Sequence, residues 1–225
     1  FKGKSMLTCA VPKGRIFDET VELLTRGKIA SLNKEHEDFS RKLIIISRDK
    51  NFRLLIVRSQ DVLTYVRYGA ADIGVVGLDV LDEFNCEGIY QPLDLKIGAC
   101  RLSVAVANKE KYKKLIDSSQ RFKVATKYPN QANAYYAKKG IQVDIIKQYG
   151  SMELAPIVGL ADAIVDLVST GQTLKVNGLF EIDLVKKISS RLIINKASFK
   201  LKNPAVTGIV RKLSEVLELK NRKSK

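Results

Sequence analysis

Gly159-Leu-Ala-Asp162-Ala-Ile-Val-Asp166-Leu-Val-Ser169-Thr170-Gly171-Gln-Thr173-Leu-Lys175 reads as an apolar strand that carries an acid near its end and then turns sharply. A turn of small hydroxyl residues behind such a strand suits a phosphate. Gly171 lets the backbone approach an anion, the N–H groups of the turn point outward, and Ser169, Thr170 and Thr173 add hydroxyl donors. Asp166, just before the turn, is placed to accept hydrogen bonds from sugar hydroxyls. Asp162 and Asp166 together fit a metal or ribose role. The same letters also describe an ordinary strand–turn–helix junction with an edge acid and a cap.

On both sides of this stretch, short β-rich runs alternate with amphipathic helical segments, which predicts an α/β protein with mostly parallel sheets. Strands are expected at 7–11, 43–47, 53–57, 72–76, 101–107, 122–126, 143–147, 163–168, 179–182 and 190–195. Helices are expected at 16–26, 60–68, 78–83, 111–117, 130–139, 152–158 and 205–219. The segment 93–100 reads as a crossing, and the last strands and helix are too few to stand alone. Two domains follow: lobe I from 1–95 plus about 178–225, and lobe II from about 96–177 with its phosphate loop at 166–174. Two lobes joined by more than one crossing make a cleft that closes over a ligand.

The chain has 225 residues, 45% hydrophobic and 28% charged, which excludes a disordered chain, a collagen or a coiled coil. No apolar run approaches the ~18 residues of a membrane-spanning helix. Cys9, Cys86 and Cys100 lack metal-like spacing and suit a reducing cytosol. Thirty-nine basic against 24 acidic residues leave a net charge of +15, a field that attracts anions. The basic residues have no zinc-finger spacing and no RNA-binding aromatic motif, so a multiply phosphorylated small substrate accounts for the field without nucleic acid. The single histidine, His36, has no local partner, which argues against a Ser-His-Asp or Cys-His device and a histidine-based zinc site. No Gly-x-x-x-x-Gly-Lys-Ser/Thr is present. Chemistry in this chain rests on positioning and electrostatics.

Further candidates sit at strand ends, where ligands gather in α/β proteins. Pro12-Lys13-Gly14-Arg15 offers two cations and backbone donors at a helix start, the arginine with a planar fork suited to phosphate oxygens. Arg41 precedes a strand and Arg58 follows one; a surface arginine is the default for each. Gly74 and Gly77 suit either ligand approach or close packing, and Tyr128-Pro129-Asn130 reads as a helix start.

Eight ordered blocks, spread over residues 11–174, resemble the ATP phosphoribosyltransferase family: Val-Pro-Lys-Gly-Arg (11–15), Ser-Arg-Lys-Leu (40–43), Arg-Ser-Gln-Asp-Val (58–62), Gly-Ala-Ala-Asp-Ile-Gly (69–74), Leu-Asp-Leu-Lys-Ile-Gly (93–98), Val-Ala-Thr-Lys-Tyr-Pro-Asn (124–130), Gly-Ser-Met-Glu-Leu-Ala-Pro (150–156) and the run 159–174. The resemblance implies a two-lobed, periplasmic-binding-protein-like (type II) catalytic unit. It implies that N1 of the adenine of ATP displaces pyrophosphate from C1 of phosphoribosyl pyrophosphate (PRPP), with Mg²⁺ as cofactor, in the first step of histidine biosynthesis. It places Ser169, Thr170, Gly171 and Thr173 on the 5′-phosphate of PRPP. Asp166, and less directly Asp162, fall on the ribose hydroxyls or their metal, with Asp166 the metal candidate. Lys13, Arg15 and Arg41 become the catalytic cations, and Asp94 and Glu153 ATP contacts. Leu63 and Arg67-Tyr68 depart from the family pattern, and Val165-Asp166 stands where many other phosphoribosyltransferases carry two adjacent acids, at the metal contact.

The chain is similar to the short form of that family, which lacks a C-terminal regulatory domain. The short form implies a homodimer, and a hetero-oligomer with a regulatory subunit resembling histidyl-tRNA synthetase. A cytoplasmic enzyme with no membrane partner is expected, and Met6 is a candidate start. The alternative is a non-catalytic bilobal protein that binds a small anion.

Overall fold

A computed structural model describes residues 6–32 and 42–223. Arg41 and His36 lie outside the described residues. The chain divides into two compact units, residues 1–98 with 189–225, and residues 99–188.

The first unit opens with β1 (Leu7–Pro12), α1 (Arg15–Arg26), β2 (Ile44–Ile46), β3 (Phe52–Val57), α2 (Ser59–Arg67), β4 (Ile73–Gly77), α3 (Leu78–Glu83) and β5 (Ile89–Asp94). The second unit holds β6 (Cys100–Val106), α4 (Lys109–Asp117), β7 (Phe122–Thr126), α5 (Pro129–Lys138), β8 (Val143–Lys147), α6 (Leu154–Ile157), β9 (Ala163–Val168), α7 (Gln172–Val176) and β10 (Phe180–Ile188). The first unit is completed by β11 (Ser190–Asn195), α8 (Lys196–Leu201) and α9 (Asn203–Lys223).

In the first unit the sheet order is β2-β3-β1-β4-β11-β5. Alternation of side chains along β1 sends Cys9 and Val11 to one face and Ala10 to the other, so the sheet is covered twice. Phe17, Val21 and Leu24 of α1 and Val206, Ile209, Leu213 and Leu217 of α9 pack with Cys9 and Val11. Val62, Leu63 and Val66 of α2 pack on the side of Ala10. Gly74 answers its alternative here: a Cβ would stand 2.7 Å from Val66 Cγ2 and 2.9 Å from Val62 Cγ1, so the residue is a packing glycine under α2. Gly74→Ala is expected to cost about 1–3 kcal/mol of this unit's stability, read as a lower urea midpoint.

The second unit has the order β10-β6-β9-β7-β8. One core joins Ala105, Ala125, Ile164 and Val168 to Met152, Ala155 and Leu174. Phe122, Tyr112 and Tyr136 meet edge-to-face in a separate aromatic group.

The sheets are mixed rather than mostly parallel. β1 runs parallel to β3 and β4, and β7 to β8 and β9. The pairings β2–β3, β4–β11, β5–β11, β6–β9 and β6–β10 are antiparallel. Four of these follow from the double crossing, because strands that enter or leave a unit run against their neighbours, and β2–β3 is a local pairing of consecutive strands. The second boundary falls at 188/189 instead of about 178, because β10 continues past residue 182 and pairs with β6 as far as Ile188↔Cys100. Its exposed Lys186 and Lys187 break the apolar pattern, as edge strands do. β5 is hidden in the sequence by Pro92, which an edge strand tolerates.

Candidate functional site

In the second unit β9 delivers the expected turn. Its last residues carry Asp166 and Val168, and the chain then reverses through Ser169 and Thr170 into Gly171, whose φ of +83° and ψ of 0° are left-handed. Only glycine adopts this conformation without strain. α7 starts immediately after it, and the first N–H groups of any helix have no acceptor within the helix. A cavity of about 160 Å³ lies here, and its polar lining is Ser103, Glu153, Asp166, Ser169, Thr170 and Thr173. Two roomier cavities in the first unit, of about 250 and 580 Å³, are lined mainly by apolar side chains and lack a comparable set of donors.

Two supports of this cavity were not legible in the sequence. Arg101 of β6 binds Glu181 of β10 through both carboxylate oxygens, Nε to Oε1 at 2.5 Å and Nη2 to Oε2 at 2.6 Å. Its remaining Nη1 donates to the carbonyl oxygen of Ser169 at 2.9 Å. Arg101 before all else holds the Glu181 carboxyl below its ordinary range. Ser103 is the second: 1% exposed, directly across from Asp166 in the β6–β9 ladder, its hydroxyl has no partner at hydrogen-bond distance.

Asp162 does not join them. It stands before β9, whereas the turn follows that strand, and a strand rises about 3.3 Å per residue, so the whole of β9 separates the two. Its carboxylate is taken by Lys111 Nζ at 2.7 Å and by the Lys123 N–H at 3.1 Å. Burial alone would raise its pKa, but these two partners outweigh burial and lower it. Asp162 is paired with Lys111 and Lys123 and does not line the cavity.

Asp94 also stands apart from the cavity lining. It lies in β5 of the first unit, where Arg191 Nη1 approaches Oδ2 to 2.5 Å and Lys96 Nζ to 2.9 Å, while Ser189 Oγ donates to Oδ1 at 2.8 Å. It ties the two chain crossings together within that unit. Burial would raise the Asp94 pKa, but Lys96, Ser189 and the charge of Arg191 hold it down at about 2, against an ordinary 3.8. A depressed folded pKa gives stability that is full above pH ~4 and lost as pH falls through about 2. Asp94→Asn should therefore lower Tm at pH 7, with the gap to the parent closing near pH 2; a constant gap would contradict the assignment.

In the first unit Lys13 is exposed and Gly14 takes φ +82°, ψ −149°, a conformation nearly confined to glycine. The strained turn places Lys13 and Arg15 at the N-terminus of α1. Arg15 lies 3.7 Å from Glu19, and Glu19 accepts the N–H of Gly98 at 2.7 Å. Arg58 is exposed at the N-cap of α2. Burial pushes the Cys9 thiol up to about 12, so it is no nucleophile at neutral pH.

The family model described as ATP phosphoribosyltransferase (HisG) matches residues 58–215. The chain belongs to the ATP phosphoribosyltransferase family. An ATP phosphoribosyltransferase of Variovorax paradoxus (strain S110) is 52% identical over 205 residues, 91% of this chain and 95% of that protein. A solved ATP phosphoribosyl transferase (HisG:HisZ) complex from Thermotoga maritima contains a chain of 33% identity, TM-score 0.75, covering 95% of this chain and 99% of that one. An amino-acid ABC transporter extracellular-binding protein from Bacillus subtilis matches with TM-score 0.60 over 96% of this chain and 93% of that one at 11% identity, which shows the fold alone. The architecture is thus the α/β, periplasmic-binding-protein-like (type II) one. The enzyme transfers the phosphoribosyl group of PRPP to N1 of the adenine of ATP, releasing pyrophosphate, in the first step of histidine biosynthesis. Among the described residues no helix is long and apolar enough to cross a membrane.

Proposed function

We propose that the turn Ser169, Thr170, Gly171 and Thr173 holds the 5′-phosphate of PRPP, with Asp166 on the ribose hydroxyls. The observation that carries this is the grouping of the turn and Asp166 around one polar cavity in the second unit. Glu153 lines the same cavity, so we assign it to PRPP in place of ATP. Lys13, Arg15 and Arg41 supply cations to the phosphate charge of the substrates.

The chemistry needs no protein nucleophile. As the bond from C1 to oxygen breaks, positive charge grows on the sugar and negative charge on the departing diphosphate. Cations set for the developing charge lower the barrier more than they stabilise bound substrate. Fixing the donor by its 5′-phosphate holds C1 in place for the adenine nitrogen. Mg²⁺ in such chemistry is held by one or two carboxylates together with substrate phosphates. Asp166 and Glu153 are the oxygen donors that would hold it, and when bound it neutralises charge on the diphosphate.

We further propose the short form, a homodimer working in the cytoplasm with a regulatory subunit resembling histidyl-tRNA synthetase; the solved complex of the Thermotoga maritima relative supports a partner of this kind. Mixing the chain with ATP, PRPP and Mg²⁺, alone and with such a subunit, should give the absorbance change of phosphoribosyl-ATP. No product in either mixture would contradict the proposal.

A further inference from the structure

We infer that Arg101, fixed by Glu181, is a positioning residue that locks the peptide between Ser169 and Thr170 so that the Thr170 N–H is presented to the 5′-phosphate. This inference rests on the reading of the turn as the PRPP phosphate site.

A phosphate site made of backbone N–H groups is spoiled by any carbonyl oxygen that swings into it. Arg101 Nη1 takes the Ser169 carbonyl oxygen at 2.9 Å and holds it against the guanidinium. In a trans peptide plane the C=O and the following N–H point in opposite directions, so anchoring the one aims the other. The Thr170 N–H therefore faces away from Arg101. The guanidinium cannot wander, because Nε and Nη2 are both committed to Glu181. A planar fork makes these three bonds at once; a lysine ammonium cannot reproduce them. The guanidinium also lies close under the turn, Nη2 being 3.8 Å from where a Cβ on Gly171 would stand.

The contacts link residues 80 and 68 positions apart, Arg101 to Glu181 and Arg101 to Ser169. Arg101, Ser103 and Ala105 share one face of β6 by strand alternation, and Ser103 and Ala105 line the cavity. Arg101 thus stands on the strand face that supplies two cavity residues, with two of its nitrogens spent on Glu181 and the third on the turn.

Calorimetric titration of PRPP into the parent, Arg101→Lys, Glu181→Gln and Gly171→Val, with the Thr170 amide followed by ¹⁵N NMR, tests this. Arg101→Lys retains the charge and is expected to weaken PRPP binding about tenfold or more, the loss of one charge-assisted bond. It should also shrink the Thr170 amide shift, which a merely stabilising role would leave intact, and ATP affinity should not change. Glu181→Gln should give a smaller loss in the same direction and keeps the test open if the lysine variant folds poorly. Parent-like PRPP affinity in both, with binding lost in Gly171→Val, overturns the inference and spares the turn. Parent-like affinity in all three overturns the reading of the turn itself.

Discussion

Gly171→Val is expected to reduce kcat/KM for PRPP by about 10²-fold or more while leaving the affinity for ATP unchanged. Two effects combine. A β-branched residue at φ +83° carries strain of about 1–3 kcal/mol, which the turn relieves by changing shape. The turn then no longer offers its N–H groups together, and losing two charge-assisted hydrogen bonds at about 1.5–3 kcal/mol each accounts for the factor. No atom outside the turn's own neighbours would lie closer than 3.8 Å to a new Cβ, so the unit has room to fold around the variant. Steady-state kinetics with PRPP and ATP varied separately, beside a thermal melt, checks it. A variant with parent-like KM for PRPP would remove the turn from the mechanism.

Arg15→Ala is expected to lower kcat by about 10²–10³-fold, the usual cost of losing one donor to developing charge. The arginine sits half-exposed on the first turn of α1, so its loss leaves the core cluster beneath the helix intact. The drop should therefore appear in kcat with little change in Tm. A loss confined to KM would mean that Arg15 binds ground state and transition state equally.

The turn was legible because its chemistry is local: an acid, two hydroxyl residues, a glycine and a further threonine follow each other in one reading frame. Asp162 stands only four positions before Asp166 in the chain, yet it lies before the start of β9, at the opposite end of that strand from the turn, a separation that local spacing does not announce. The pairing of Asp94 is hidden from the sequence for another reason. Its partner Arg191 is set opposite it only by the β5–β11 register, a pairing invisible until the chain returns to the first unit. Glu153 showed the converse: a weak local signal on a short helix became a wall of the cavity once α6 packed under β9. Arg101 gave no signal beyond a basic residue in an apolar run, because both of its partners are remote.

The most direct test of the central claim is a crystal structure of the enzyme with PRPP bound. The account predicts the 5′-phosphate within hydrogen-bond distance of the backbone N–H groups of residues 169–173 and the ribose hydroxyls against Asp166. A donor seated elsewhere, with that turn unoccupied, would contradict it.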